Sequence, residues 1–237
     1  MRINDDLTKP VIVHSAALEW SPSPTAGVDR RMLYRVGGEV ARATSIVRYA
    51  PASAFPSHLH SGGEEILVLE GTFQDEHGDY PAGSYFRNPP GTSHAPASKT
   101  GCTIFVRLFQ FRRGDQTQIV CRPDEGQHVE PRHGAASSIV LFDDGHEDVR
   151  LEEWQPGETV TVSNERGLEF LVVSGGLSFG DESLAAQSWG RLPAGTSLRA
   201  TVYPQGAKIW MKKAALLHPE VLKLPDEIGG NDGYERG

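Results

Sequence analysis

Along the chain, short apolar runs are punctuated at close intervals by turn residues. Ile66-Leu67-Val68-Leu69 runs into Glu70-Gly71, Cys102-Thr103-Ile104-Phe105-Val106 follows a glycine, and Leu171-Val172-Val173 leads into Ser174-Gly175-Gly176. With 26 Gly and 16 Pro spread between such runs, the texture is that of many strands joined by turns, which predicts an all-β fold. At 237 residues the chain is long enough for one large or two ordinary domains with a well-buried core. The apolar pattern lapses between Arg112 and Ser138, where polar and turn residues take over. That lapse predicts two domains, residues 1–120 and residues 121–237. Residues 1–40 are expected to add edge strands, and the polar, Gly-rich tail from His218 onward is expected to be loose.

Just ahead of the first run lies His58-Leu59-His60-Ser61-Gly62-Gly63-Glu64-Glu65. In an extended chain, side chains alternate faces, so His58 and His60 point the same way. Two neutral imidazoles on one face are half a metal site; they are also what two surface histidines on a half-exposed strand look like, and spacing alone leaves both open. Gly62 and Gly63 allow the chain to turn and bring a carboxylate back toward the pair. Further on, Pro89-Pro90-Gly91 forms a tight turn that delivers His94, a third imidazole. Nitrogen donors with one hard oxygen suit a divalent transition metal, Fe, Zn, Mn, Ni or Cu, rather than Ca or Mg.

The order H-x-H-x3-E-x6-G at His58, His60, Glu64 and Gly71, then G-x5-P-x-G-x2-H at Gly83, Pro89, Gly91 and His94, resembles the paired motifs of the cupin superfamily. The resemblance implies a double-stranded β-helix, or jelly roll, of roughly six to eight strands holding one metal inside it. Carried over by position, the ligands are His58, His60, Glu64 and His94. Glu65 is the competing carboxylate, but only Glu64 keeps the six-residue gap to Gly71. The family pattern often has Asn four residues after the last His, where this chain has Ser98. Residues 40–112 look most like the cupin domain of ChrR-type anti-sigma factors, which small dioxygenases cleaving ketones and diketones also resemble.

The second half repeats the first without its imidazoles. A gapless offset of 105 pairs Pro51 with Pro156, Glu64 with Glu169 and Gly71 with Gly176, and it replaces His58 by Ser163 and His60 by Glu165. Pairing Pro89 with Pro193 and Gly91 with Gly195 puts Leu198 in place of His94. The second half therefore reads as a degenerate cupin, which makes the chain a bicupin of two tandem jelly rolls. Its expected work is structural: packing on the first barrel, shielding a strand edge, or forming a homodimer surface.

A formal net charge of −8 argues against a nucleic-acid or anionic-membrane partner. No apolar run approaches the roughly twenty residues needed to span a bilayer, so a soluble cytoplasmic protein is expected. Cys102 and Cys121 show no metal or redox spacing, and Cys102 is expected to be a buried, inert thiol. The six remaining histidines, with Asp75, Glu76 and Asp79 around His77, are expected on the surface. Tyr49, Phe105 and Arg107 sit on apolar strands and are candidates for the surroundings of the metal, although packing is the simpler role for each. The complete ligand set points to an oxygenase or lyase acting on a small carbonyl compound. The ChrR resemblance implies the alternative, a metal- or ligand-sensing module that controls a protein partner; no Cys precedes residue 102 to build the zinc-binding helical domain such factors carry.

Overall fold

In a computed structural model, which describes residues 1–38, 40–123 and 125–228, the apolar runs are strands of two large antiparallel sheets. The first sheet runs Arg2–Ile3, Val28–Gly37, Ala41–Tyr49, Cys102–Leu108, Glu64–Asp75, Tyr85–Asn88 and Ile119–Cys121. The second runs Gln127–Val129, Ala135–Asp143, Asp148–Trp154, Leu198–Lys213, Gly167–Phe179, Ser188–Pro193 and Val11–His14. Long bent strands close each sheet on itself. Leu198–Lys213 pairs with Asp148–Trp154 along its later residues and with Thr159–Val162 along its first. Two jelly rolls in tandem result.

Both faces of the central strands are buried, which is why they read as continuous apolar runs. On one face Val47, Ile66, Val68, Phe73, Phe86, Ile104 and Val106 fill the first barrel. On the other face Leu67, Tyr85 and Phe105 meet Phe142, Leu171, Trp189 and Trp210 of the second half, with the Phe105 and Trp210 rings 4.9 Å apart. A third core of Val160, Val162, Leu168, Phe170, Leu198 and Met211 fills the second barrel. Phe105 therefore lies between the barrels, not beside the histidines.

Arg107 shares that face. Its Nε donates to Glu169 at 2.9 Å and its Nη1 to Glu65 at 2.5 Å, while Lys212 Nζ donates to Glu65 at 2.8 Å and to Glu147 at 2.7 Å. Tyr85 and Trp189 donate to Glu65 and Glu169 from the two sides. The candidate role of Arg107 near the metal is thus replaced by a buried ionic seam joining the two halves.

The pairing of strands corrects the register of the repeat. Arg107 and Arg87 lie opposite Glu65, as Lys212 and Arg191 lie opposite Glu169. Glu169 is therefore the counterpart of Glu65 at an offset of 104, not of Glu64. The glycines agree: a Cβ on Gly71 (φ 69°) would lie 2.2 Å from the Gly101 carbonyl, and one on Gly175 (φ 73°) 2.0 Å from that of Gly206. Gly71 thus pairs with Gly175 rather than Gly176, while Pro51 and Pro156 keep the offset of 105 beside Gly101 and Gly206. One residue is missing between them in the second half.

Two terminal segments depart from expectation. Val11–His14 is an edge strand, but of the second sheet, where it pairs with Ser188–Pro193. The chain from His218 to Ile228 is held in place rather than loose: Val221 bridges Arg112, the Leu222 N–H donates to Phe111 O, Leu224 is buried, and Glu227 pairs with Arg42 at 3.2 Å. Residues 229–237 of that tail lie outside the described residues. Cys102 and Cys121 are both free thiols, and burial pushes Cys102 up to about 11. Among the described residues no helix is long and apolar enough to cross a membrane.

Candidate metal centre

Alternation and one short ladder assemble the site. His58–Leu59 pairs with Ser93–His94 so that His58 faces His94 directly, and the His60 N–H donates to Thr92 O at 2.9 Å. The turn after His60 passes through Gly63 at φ 78°, packed against the Phe111 ring, and delivers Glu64 to the start of the strand Glu64–Asp75. One ligand atom from each of His58, His60, Glu64 and His94 lies within 4.8 Å of the others. His60 Nε2 and His94 Nε2 stand 3.3 and 3.4 Å from Glu64 Oε2. The adjacent Glu65 points to the opposite face, into the seam between the halves, so strand alternation separates the two carboxylates.

The surroundings suit neutral imidazole donors. Thr92 spends its hydroxyl proton on Pro89 O at 2.7 Å, so at 2.9 Å it accepts from His60 Nδ1–H and leaves His60 Nε2 a bare lone pair. That Nε2 is buried and has no hydrogen-bond partner. Burial, with the neighbouring His94 and His58 rings, pushes His60 down to about 3, and burial also lowers His58. His94 behaves differently: burial lowers it, but Asp75 and Glu64 outweigh burial and raise it. Burial raises Glu64 against the pull of His94. An orphaned imidazole nitrogen, two more rings and a carboxylate converging on one point could hold a divalent transition metal.

Asp75 does not lie in the solvated turn that its neighbours in sequence predict. Its side chain is buried, with Oδ2 3.4 Å from His94 Nδ1. A carboxylate on the far nitrogen fixes a ring's tautomer and orientation, and sequence spacing carries no trace of it because Asp75 and His94 meet only through the folded sheet. Asp75→Asn is expected to weaken metal binding about 10- to 100-fold, measured by competition with a chromogenic chelator. Unchanged affinity would show that Asp75 does not orient the ring.

Of the other sequence candidates, Tyr49 lines the pocket that opens onto the cluster, whereas Phe105 and Arg107 do not. That pocket has a volume of about 330 Å³ and walls of Val47, Ile104, Val106, Leu108 and Phe109. Sequence reading misses two further lining residues, Arg30 and Arg35.

In the second half three of the four corresponding positions are apolar. Leu198 pairs with Val162 as His94 pairs with His58, Asn164 takes the place of His60, and Leu168 that of Glu64. Val162, Leu168 and Leu198 are fully buried, so a hydrophobic plug fills the space that the ligands occupy in the first barrel. The expected Ser163 and Glu165 are not the equivalent residues.

Residues 8–112 match the family of ChrR cupin-like domains. No curated protein matches the chain. Among solved structures, a candidate dioxygenase from Nostoc punctiforme is similar with a TM-score of 0.70 at 15% identity, over 92% of this chain and 87% of that one. YlbA from Escherichia coli gives 0.66 at 14%, covering 87% and 91% of the two chains. The pirin YhhW from Escherichia coli, in complex with nickel(II), gives 0.64 at 14%, covering 87% and 99%. At such identities the likeness is one of fold.

Proposed function

We propose that this chain, a cupin whose residues 8–112 form a ChrR-like cupin domain, is a mononuclear metal-dependent enzyme, an oxygenase or lyase acting on a small carbonyl compound. The observation that carries this reading is the opening of the cluster, through His58, His60 and Glu64, onto an apolar-walled pocket of about 330 Å³. A closed structural metal site has no such opening, and the volume falls in the range of small-molecule sites.

Bound there, a divalent ion would supply Lewis-acid polarisation of a carbonyl and, if it is iron, redox chemistry with oxygen. The chain's own groups do the rest. Thr92 holds the His60 ring by a hydrogen bond, and the Asp75 carboxylate faces Nδ1 of His94 at 3.4 Å. Val47, Ile104, Val106 and Leu108 give an apolar wall on which the body of a substrate can pack. Apolar surroundings, and then the Glu64 charge, push Tyr49 far above the usual phenol range, so it stays protonated and can donate a hydrogen bond to a substrate oxygen.

The test is oxygen uptake by Fe(II)-loaded protein with small β-diketones and hydroxyketones. Turnover is expected, and it should disappear on replacing iron by zinc, which has no redox chemistry. The ChrR-like match favours a second reading, a module that senses metal or ligand and controls a protein partner. Tight ligand binding without turnover on any compound would make that the better account.

A further inference from the structure

Two guanidiniums share the pocket with the cluster. Arg30 and Arg35 lie on the strand Val28–Gly37, where an odd spacing would put them on opposite faces; a bulge between Met32 and Tyr34 brings both into the pocket. The neighbouring arginines are accounted for otherwise: Arg31 and Arg48 stack on Trp20 at 4.1 and 4.4 Å, and Arg48 pairs with Asp29 at 2.7 Å. Arg35 is only 8% exposed, and its Nη2 donates to Gly38 O. Arg30 Nε is buried and has no hydrogen-bond partner. Burial, and then the like charge of Arg30, lower Arg35, which shows the two cations lying within each other's field.

Among the described residues neither guanidinium forms an ion pair. Two cations facing an apolar-walled pocket are costly unless an anion joins them. The arginine fork fits a carboxylate better than any other small group of the metabolic repertoire except phosphate. Glu64 at the cluster cannot serve, because its oxygen already faces His60 and His94.

We infer that the substrate is a carboxylate-bearing carbonyl compound: its carboxylate docks on Arg30 and Arg35, its apolar body lies on Val47, Ile104 and Val106, and its carbonyl end faces His58, His60 and Glu64. This rests on the metal-dependent reading above and adds the charge of the ligand. A neutral diketone would leave both guanidiniums without an anionic partner among the described residues.

The experiment is calorimetric titration of the metal-loaded protein with 2-oxobutanoate, 2-oxohexanoate and 2-oxooctanoate, each against its methyl ester. The best acid is expected to bind about tenfold or more tightly than its ester, as a charge-assisted bond to a guanidinium implies. Arg30→Gln and Arg35→Gln should each bring the acid down toward the ester and leave metal content unchanged, while Arg30→Lys retains part of the preference. Equal affinity for acid and ester, an undiminished preference in both Gln variants, or binding of no acid overturns the inference. The His58→Ala/His60→Ala variant separates the two claims. If it binds acid as well as the wild type does, the arginine subsite stands and the metal-dependent reading falls. Metal-dependent ester binding with no acid preference means the opposite: the metal-dependent reading stands and the arginine subsite falls.

Discussion

Arg107→Met is expected to lower the unfolding free energy by about 3–5 kcal/mol, the cost of breaking a buried ion pair from one side. The guanidinium bridges Glu65 of the first barrel and Glu169 of the second, and methionine keeps the volume while leaving Glu169, among the described residues, with Trp189 as its one side-chain donor. The denaturant midpoint should fall with little change in slope. A loss below about 1 kcal/mol would mean that the seam relaxes or takes up water.

The same seam sets an acid limit. Burial works to raise Glu65, but Lys212, Arg107 and Arg87 hold it well below the usual carboxylate range. A depressed folded-state pKa contributes stability that is complete above the unfolded value, here 4.5, and is lost as the pH falls below it. Stability measured from pH 6 downward should therefore drop below that value, and Arg107→Met should flatten the drop.

The second large effect concerns the cluster. His60→Ala and His94→Ala are each expected to lower the metal retained after dialysis by a factor of about ten to a hundred or more, since disturbing a ligand's hydrogen-bond partner alone costs that much. Glu64→Gln should act in the same direction. Glu65→Gln should leave metal content intact and instead lower the melting temperature, because its carboxylate lies in the seam beside Arg107 and Lys212. Elemental analysis of the four variants reads this directly; metal loss in Glu65→Gln with retention in Glu64→Gln would reverse the assignment of the two carboxylates.

The local part of the site is legible from sequence because the chemistry follows the chain. His58 and His60 share a face by strand period, and the Pro-Gly turn brings His94 opposite them. What escapes is what the sheet assembles from a distance. Asp75 reaches His94 from the far end of a different strand, and Arg30 and Arg35 face the pocket only through a bulge that no periodicity announces. Phe105 and Arg107 read as metal-side candidates because a strand buried on both faces has no polar phase to mark inside from outside. A gapless repeat likewise lets Gly176 stand for Gly175, and adjacent glycines hide the one-residue slip that puts Leu168 rather than Glu169 in the ligand position. In the tail, Val221 and Leu224 anchor a stretch whose average composition is polar.

The crossing of Val11–His14 into the second sheet decides what can be inherited or transplanted as a unit. The segment that opens the chain completes the barrel that closes it, capping the row of backbone groups along Ser188–Pro193. A fragment cut at the compositional boundary would carry away that cap, and the bared edge would recruit a strand from any neighbour able to supply one. The second barrel is therefore no free-standing cassette, because one of its strands is supplied from the far side of the first barrel in the chain.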